Sequence, residues 1–402
     1  MITPADSDSS RRFRFFLGGV GTGSLLGGLQ VVLYPWLVTG VLGESPTRVG
    51  FAQMMALLPA LLFILIGGAV SERRHPGKLL LSLYLLYILP YGLLMMLVVQ
   101  GSLNYGLVVL FGFSYGLITS FVQPARESLL PRVASEQLQQ AVARSSLVQF
   151  ACQSVGILFA GRMDQFGLMA LLSCQLILAL ATGYLLLRSY PASQMLETSA
   201  EPGERSRIRD GLALVWRDSR LRHLTGLVAA TGFLGLGVYL VAMPLLAREV
   251  YQGNAGFYAF LQLTFTIGVI IANILVIRGV GGHWAPGRLM LISLLIRGFL
   301  LAIIATALPL WALFPAVLLW GVLSGWSMVL GRTMTHEMSP RSHRGRVVSV
   351  YQLALFGGAP VGAWVCGQVV HWIDLLPAIA LFGGLTVITA LWMLWRSELR
   401  NV

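Results

Sequence analysis

Three pairs of polar side chains at helical spacing, and one arginine, are the residues best suited to handling a ligand in this chain. Gln30 and Tyr34, Gln149 and Gln153, and Gln262 and Thr266 each lie four residues apart, which puts each pair on one face of a helix. Amides and hydroxyls on a shared face offer donors and acceptors to a solute. They serve equally well as hydrogen bonds to a neighbouring helix, and the residue types leave both readings open. Asn273 falls near the face of Gln262, while Tyr239 and Trp326 add aromatic surface. Arg297 is the one basic residue deep inside an apolar run. A charge in that setting marks function by default, whether it binds an anion, reaches lipid headgroups or pairs with an adjacent helix. Acids are missing from the interiors of these runs. Glu72, Glu127 beside Arg126, and Asp164 beside Arg162 sit at their edges, as do His336 and His371. Proton coupling therefore has no titratable carboxylate deep in the helices. No metal-ligand cluster, phosphate-binding glycine loop or nucleophile–base pair is present, so neither an enzyme nor a cofactor is expected.

The elements holding these residues are set by composition. The 402-residue chain is 56% hydrophobic and 11% charged, with mean hydropathy +0.77, against roughly 25% charged in soluble proteins. About twelve crossings of roughly 20 residues fit this length with short loops. Spans are predicted at 15–39, 48–70, 79–99, 105–124, 143–162 and 167–187, then at 224–247, 256–278, 288–306, 309–331, 347–370 and 375–395. Basic residues crowd one side, including Arg11, Arg12, Arg73, Lys78, Arg132, Arg217, Arg222, Arg288, Arg344 and Arg396. The opposite side has only Arg48, Arg162 and Arg248. By the positive-inside rule both termini and the middle loop face the cytoplasm. The net charge of +12 is thus a topology signal and an anionic-lipid contact. Nucleic acid is not an expected partner, because no basic domain interleaved with aromatics exists. Cys152, Cys174 and Cys366 all fall in apolar spans and read as reduced, packed thiols. The first apolar span is too long for a cleavable signal and reads as the first helix.

The segment Pro76-Gly77-Lys78-Leu79-Leu80-Leu81 returns 210 residues later as Pro286-Gly287-Arg288-Leu289-Met290-Leu291. Such parallel doubling characterises secondary transporters. Two six-helix bundles are expected, at 1–187 and 223–402, joined by a cytoplasmic linker at 188–222. Within the linker, Tyr190–Gly203 is rich in Pro, Ser and Glu and reads as a flexible connection. Arg205–Leu221 places Ile208, Leu212, Val215 and Trp216 on one stripe among arginines, as in a helix lying along a membrane surface. Gly19, Gly23 and Gly27 on the first helix, and Gly358 and Gly362 on the eleventh, recur at four-residue spacing. Small residues so placed let helices approach where lipid supplies no hydrophobic drive.

Several stretches carry a resemblance. The run Glu44-Ser45-Pro46-Thr47-Arg48-Val49-Gly50, then Leu58-Pro59-Ala60 and Gly67-Gly68-Ala69-Val70-Ser71-Glu72-Arg73, resembles the start of major facilitator superfamily transporters. In particular it resembles the branch holding the enterobactin exporter and macrolide efflux proteins. Pro124-Ala125-Arg126-Glu127-Ser128-Leu129-Leu130-Pro131, Arg209-Asp210-Gly211-Leu212 and Arg344-Gly345-Arg346-Val347-Val348-Ser349 fit the same branch. The likeness spans nearly the whole chain. It implies an all-α membrane protein in the major facilitator fold. The first, fourth, seventh and tenth helices would line a cavity, and the ninth, with Arg297, would be peripheral.

The resemblance also implies a gate in the loop after the second helix. Gly68 would allow close helix approach, Glu72 and Arg73 would pair charges, and Arg126 would join them. Glu72 stands where the family usually has Asp, and His75-Pro76 alters the spacing that follows. The second copy, Gly281-Gly282-His283-Trp284, lacks the acid. The fifth helix carries Gly156 and Gly161 but not the glycine–proline kink of many drug–proton antiporters. A monomeric transporter of the bacterial inner membrane working by alternating access is expected. Its cargo would be an amphipathic or siderophore-like small molecule moved outward, with Gln30, Tyr34, Gln149, Gln153, Tyr239, Gln262, Thr266, Arg297 and Trp326 as candidate contacts. Protons enter as a coupling partner by resemblance alone. Uptake or flipping of an iron chelate or lipid is the alternative, and a non-transporting membrane sensor is a third reading.

Overall fold

The computed structural model describes residues 4–134, 138–190, 208–280, 285–339 and 344–401. Among these, twelve helices are long and apolar enough to cross a membrane, and no strand occurs. They are α1 (Pro4–Trp36, prolonged by a π-helical turn at Leu37–Val41), α2 (Pro46–Arg73), α3 (Pro76–Val99, interrupted at Tyr87), α4 (Tyr105–Val133), α5 (Leu138–Ala160) and α6 (Met163–Ser189). The second set is α7 (Ser219–Val250), α8 (Ala255–Ile277), α9 (Pro286–Ile304), α10 (Leu310–Met338), α11 (Arg344–Ile373) and α12 (Leu375–Arg396).

The chain divides into two compact units. Unit 1 contains Met1–Leu42, Met55–Gly203 and Asn254–Phe260; unit 2 contains Gly43–Met54, Glu204–Gly253 and Leu261–Val402. Short segments at the starts of α2 and α8 therefore cluster with the other half of the sequence.

Inside unit 1, α1 crosses α5 at Gly28 and Gly156. A Cβ on Gly28 would lie 2.1 Å from the Gln153 carbonyl oxygen, and one on Gly156 would lie 2.3 Å from that of Leu25. Only bare backbone fits there. The glycine stripe read from sequence lies one residue off this crossing. Gly19 faces Leu186, Gly23 faces Tyr84 and Thr182, and Gly27 has no neighbour within 4 Å of an added Cβ. Adjacent helical residues point about 100° apart at 3.6 per turn, so Gly28 meets α5 while the Gly27 direction stays open. Unit 2 repeats the device between α7 and α11. Gly362 would press on the Phe233 carbonyl at 2.2 Å, Gly358 on that of Ala229 at 2.7 Å, and Gly232 on that of Leu355 at 2.2 Å.

The repeated Pro-Gly-basic segment has one mechanical job in both units. Proline opens α3 and α9, where its missing N–H costs nothing, and the His75 ring nitrogen accepts the Lys78 N–H at 3.3 Å. The following glycine is buried under the end of the unit's last helix. A Cβ on Gly77 would lie 2.4 Å from the Tyr190 carbonyl oxygen, and one on Gly287 would lie 2.1 Å from that of Leu399.

The amphipathic helix of the middle loop spans Ile208–Arg217. Its apolar stripe is divided between two surroundings, a departure from the single face expected. Val215 is buried against Leu221, Val347 and Val350, whereas Leu212 and Trp216 remain exposed. The Ile208 side chain and most of the preceding linker lie outside the described residues. Asp218 ends this helix by capping α7, accepting the Arg220 and Leu221 N–H groups at 2.8 and 3.4 Å. That sharp restart at α7 turns Val215 onto α11.

Candidate functional site

In unit 2, Tyr239 of α7 and Gln262 of α8 meet directly, the phenol donating to the amide oxygen. The Tyr239 ring lies 4.4 Å from that of Phe265 and 5.8 Å, edge-on, from that of Trp320 on α10. Close packing sets this geometry, since Gly268 and Gly321 bring α8 against α10, with added Cβ atoms 2.3 and 2.2 Å from the Leu318 and Phe265 carbonyls. Gln262 is buried and Tyr239 half-buried, so a hydroxyl, an amide and three rings share one partly open wall. Thr266 turns its hydroxyl back onto the Gln262 carbonyl at 2.9 Å, and Asn273 donates to the Val269 carbonyl at 2.8 Å. Both side chains thus satisfy themselves within α8. Trp326 is the tryptophan expected from the sequence as a contact, and Trp320 is the one in this cluster. Trp326 is half-buried six residues further along and stands outside the cluster. Both tryptophans lie in apolar stretches of α10, and nothing in their local spacing separates them.

Arg297 lies on α9, the helix expected at the periphery. The helix exposes Ile296 and Phe299, while Arg297 faces inward and is 2% exposed. Gly298, next in the chain, clamps α9 onto α12, where an added Cβ would lie 2.8 Å from the Gly383 carbonyl. That crossing turns Arg297 toward α7. One terminal guanidinium nitrogen donates to the Thr231 hydroxyl at 3.4 Å, and the guanidinium carbon lies 3.5 Å from where a Cβ on Gly235 would stand. Thr231–Leu236 is a π-helical segment, an irregularity that recurs at functional sites.

In unit 1, Gln30 accepts a hydrogen bond from Gln175 of α6 at 3.0 Å, both residues buried. Tyr34 is buried beside Phe111, ring centres 6.3 Å apart, over Gly112. It belongs to a tyrosine-rich cluster absent from the sequence reading. Tyr84, Tyr87 and Tyr91 follow along α3, and Tyr87 meets both the Tyr115 ring, 5.3 Å away, and the Thr119 hydroxyl at 2.9 Å. The 84-87-91 spacing is a helical stripe that could have flagged it. Gln149 and Gln153 are half-buried on α5. The candidate residues thus fall into one set in each unit.

Of the gate residues, Gly68, Glu72 and Arg73 have side-chain positions outside the described part of α2, and Arg126 is half-buried on α4. A charge cluster that sequence reading treats only as sparse topology charge occupies unit 2 near Glu44. Glu44 pairs with Arg48 at 2.9 Å, Arg248 donates to the Glu44 carbonyl at 3.2 Å, and Arg248 pairs with Glu249 at 2.5 Å. Beside it, an added Cβ on Gly50 would lie 2.7 Å from the Ala363 carbonyl of α11.

Solved structures share this architecture. The chain aligns with the nucleoside transporter NupG at TM-score 0.74 and 12% identity, covering 96% of this chain and 98% of that one. A D-xylose-proton symporter aligns at TM-score 0.72 and 15% identity over 98% and 99%. The POT family transporter PepTSo aligns at TM-score 0.73 and 13% identity over 96% and 97%. At such identities these likenesses establish the fold. No curated protein matches the sequence. The sequence profile of a major facilitator family described as Transmembrane secretion effector matches residues 9–402. With twelve apolar helices and that match along almost its full length, the chain belongs to this family: it is a multi-pass membrane transporter of the major facilitator superfamily and not an enzyme.

Proposed function

We propose that the protein exports an amphipathic or siderophore-like small molecule by alternating access, and that its nearest functional kin are the enterobactin exporter and macrolide efflux proteins. The observation carrying this reading is the Tyr239–Gln262–Phe265–Trp320 wall of unit 2, which joins apolar rings to a hydroxyl and an amide. Amphipathic solutes ask for that mixture of broad apolar surface and few directional polar groups. The family description, secretion, supports the outward direction. The arginine-rich side supports a bacterial inner membrane location with both termini cytoplasmic, and the protein acts as a monomer. Within unit 1, Gln149, Gln153 and Tyr34 are the candidate contacts. Gly68, Glu72, Arg73 and Arg126 form the cytoplasmic gate.

The test is transport in proteoliposomes over a panel of siderophores, macrolides and lysolipids, with and without a pH gradient. Saturable movement of one class, weakened by Gln262→Ala, is expected. Absence of movement for every class would sink the export reading, and movement indifferent to the gradient would remove proton antiport. Glu72→Ala should slow cycling and leave binding intact; loss of binding would contradict the gate.

A further inference from the structure

We propose that Arg297 and Thr231 form an oxyanion-binding site within unit 2, so that the transported solute presents a carboxylate or phosphate to this guanidinium. The inference rests on the export reading and narrows its substrate class. Arg297 is 2% exposed, and the ion pairs among the described residues lie elsewhere, at Glu44, Glu249 and Glu398. A guanidinium has five N–H donors. Here one reaches Thr231 at 3.4 Å, while the buried Nε has no hydrogen-bond partner among the described residues. A buried cation so poorly compensated destabilises the bundle unless another group pairs with it. A fold needing only a filler at this position would not select it.

The repeat supplies the control. Tyr87 stands 210 residues earlier, at the matching place in unit 1, and its hydroxyl is satisfied by Thr119 at 2.9 Å. The architecture is therefore met at this position by a neutral group with a local partner, and the arginine adds something the bundle does not require. The surface opposite the guanidinium is also unusual. Gly232 and Gly235 occur inside the π-helical Thr231–Leu236 segment, and Gly235 turns no side chain toward the charge. The unpartnered Nε donor, a hydroxyl and bare helix backbone converge there. A carboxylate or phosphate accepts two parallel N–H bonds from arginine, which would give the buried Nε its missing partner. A neutral solute could accept a hydrogen bond there but would leave the guanidinium charge uncompensated.

The same chemistry is available from a soluble solute or from a lipid headgroup, and the experiment separates them. Thermal unfolding of the purified full-length protein is followed in neutral detergent with benzoate, its neutral counterpart benzamide, and inorganic phosphate, then in phosphatidylglycerol and phosphatidylcholine vesicles. Benzoate or phosphate is expected to stabilise the wild type where benzamide does not. Arg297→Met should unfold at a higher temperature without ligand, yet bind the anion at least about tenfold more weakly. Arg297→Lys should keep a weaker response, because it retains charge and loses the two-pronged fit. Stabilisation by phosphatidylglycerol alone assigns the site to lipid where Arg297→Met abolishes it, and overturns the site where Arg297→Met keeps it. The proposal fails if no anion and no anionic vesicle stabilises the wild type, or if benzamide matches benzoate, neither of which needs a variant to fold. It fails equally if Arg297→Met binds as well as the wild type. Anion binding without transport would defeat the export reading and leave this site standing, while transport without anion binding would do the reverse.

Discussion

A polar side chain between apolar helices must find its partner inside the protein, and Gln30 and Tyr239 do so differently. Gln30 uses its amide oxygen on Gln175, deep and closed off. Interhelical hydrogen bonds in membranes average about 0.6 kcal/mol and reach about 1.7. A double-mutant cycle of Gln30→Leu and Gln175→Leu should return coupling in that range in thermal unfolding, with substrate KM unchanged. Tyr239 is half-buried, and its hydroxyl donates to Gln262 of the neighbouring helix. Tyr239→Phe removes one hydrogen bond worth about 1 kcal/mol and keeps the ring packing. Its KM should rise roughly fivefold while the unfolding temperature barely moves; an unchanged KM would put the wall outside the transport path. Spacing alone could not separate these two cases, because both residues look alike on a helical wheel. Burial and partner, properties of the assembled bundle, distinguish them.

At the scale of elements, helix crossings depend on which glycine points at a neighbour. Gly28→Ala would drive a Cβ to 2.1 Å from the Gln153 carbonyl, whereas Gly27→Ala meets nothing within 4 Å. The first should destabilise by about 1–3 kcal/mol; the second should be neutral or stabilise by up to about 1 kcal/mol. Thermal unfolding of the two variants decides it, and equal losses would contradict the crossing. The twin glycines of the repeat make a matched pair. Gly77→Val and Gly287→Val should each lower the unfolding temperature by similar amounts, since each would displace the end of its unit's last helix. The repeat itself was plain in the sequence. Its purpose was not, because Tyr190 and Leu399 lie more than a hundred residues from the glycines they cover.

For the whole molecule, the few charges of unit 2 beside the α1–α2 and α7–α8 turns are joined. Arg248 ties the Glu44 carbonyl to Glu249, and Arg48 adds its pair with Glu44. A hydrogen bond from a charged donor is worth about 1.5–3 kcal/mol. Arg248→Ala should therefore raise hydrogen exchange across residues 43–54 about tenfold or more, with little change along α12. Equal protection in variant and wild type would show that packing at Gly50, and at Gly367, where an added Cβ would lie 2.6 Å from the Pro46 carbonyl, holds this segment unaided.

Sequence by itself determined the class, the number of crossings and the doubling. Those follow from hydropathy summed over some 20 residues and from short-range periodicity, neither of which depends on distant neighbours. The sites depend on something else. That Arg297 turns to Thr231, that Trp320 joins Tyr239 where Trp326 does not, and that Gly28 and not Gly27 meets α5 were decided by the tertiary structure alone. Each of those outcomes turns on a small rotation about a helix axis, and only the packing of one helix against another sets that rotation.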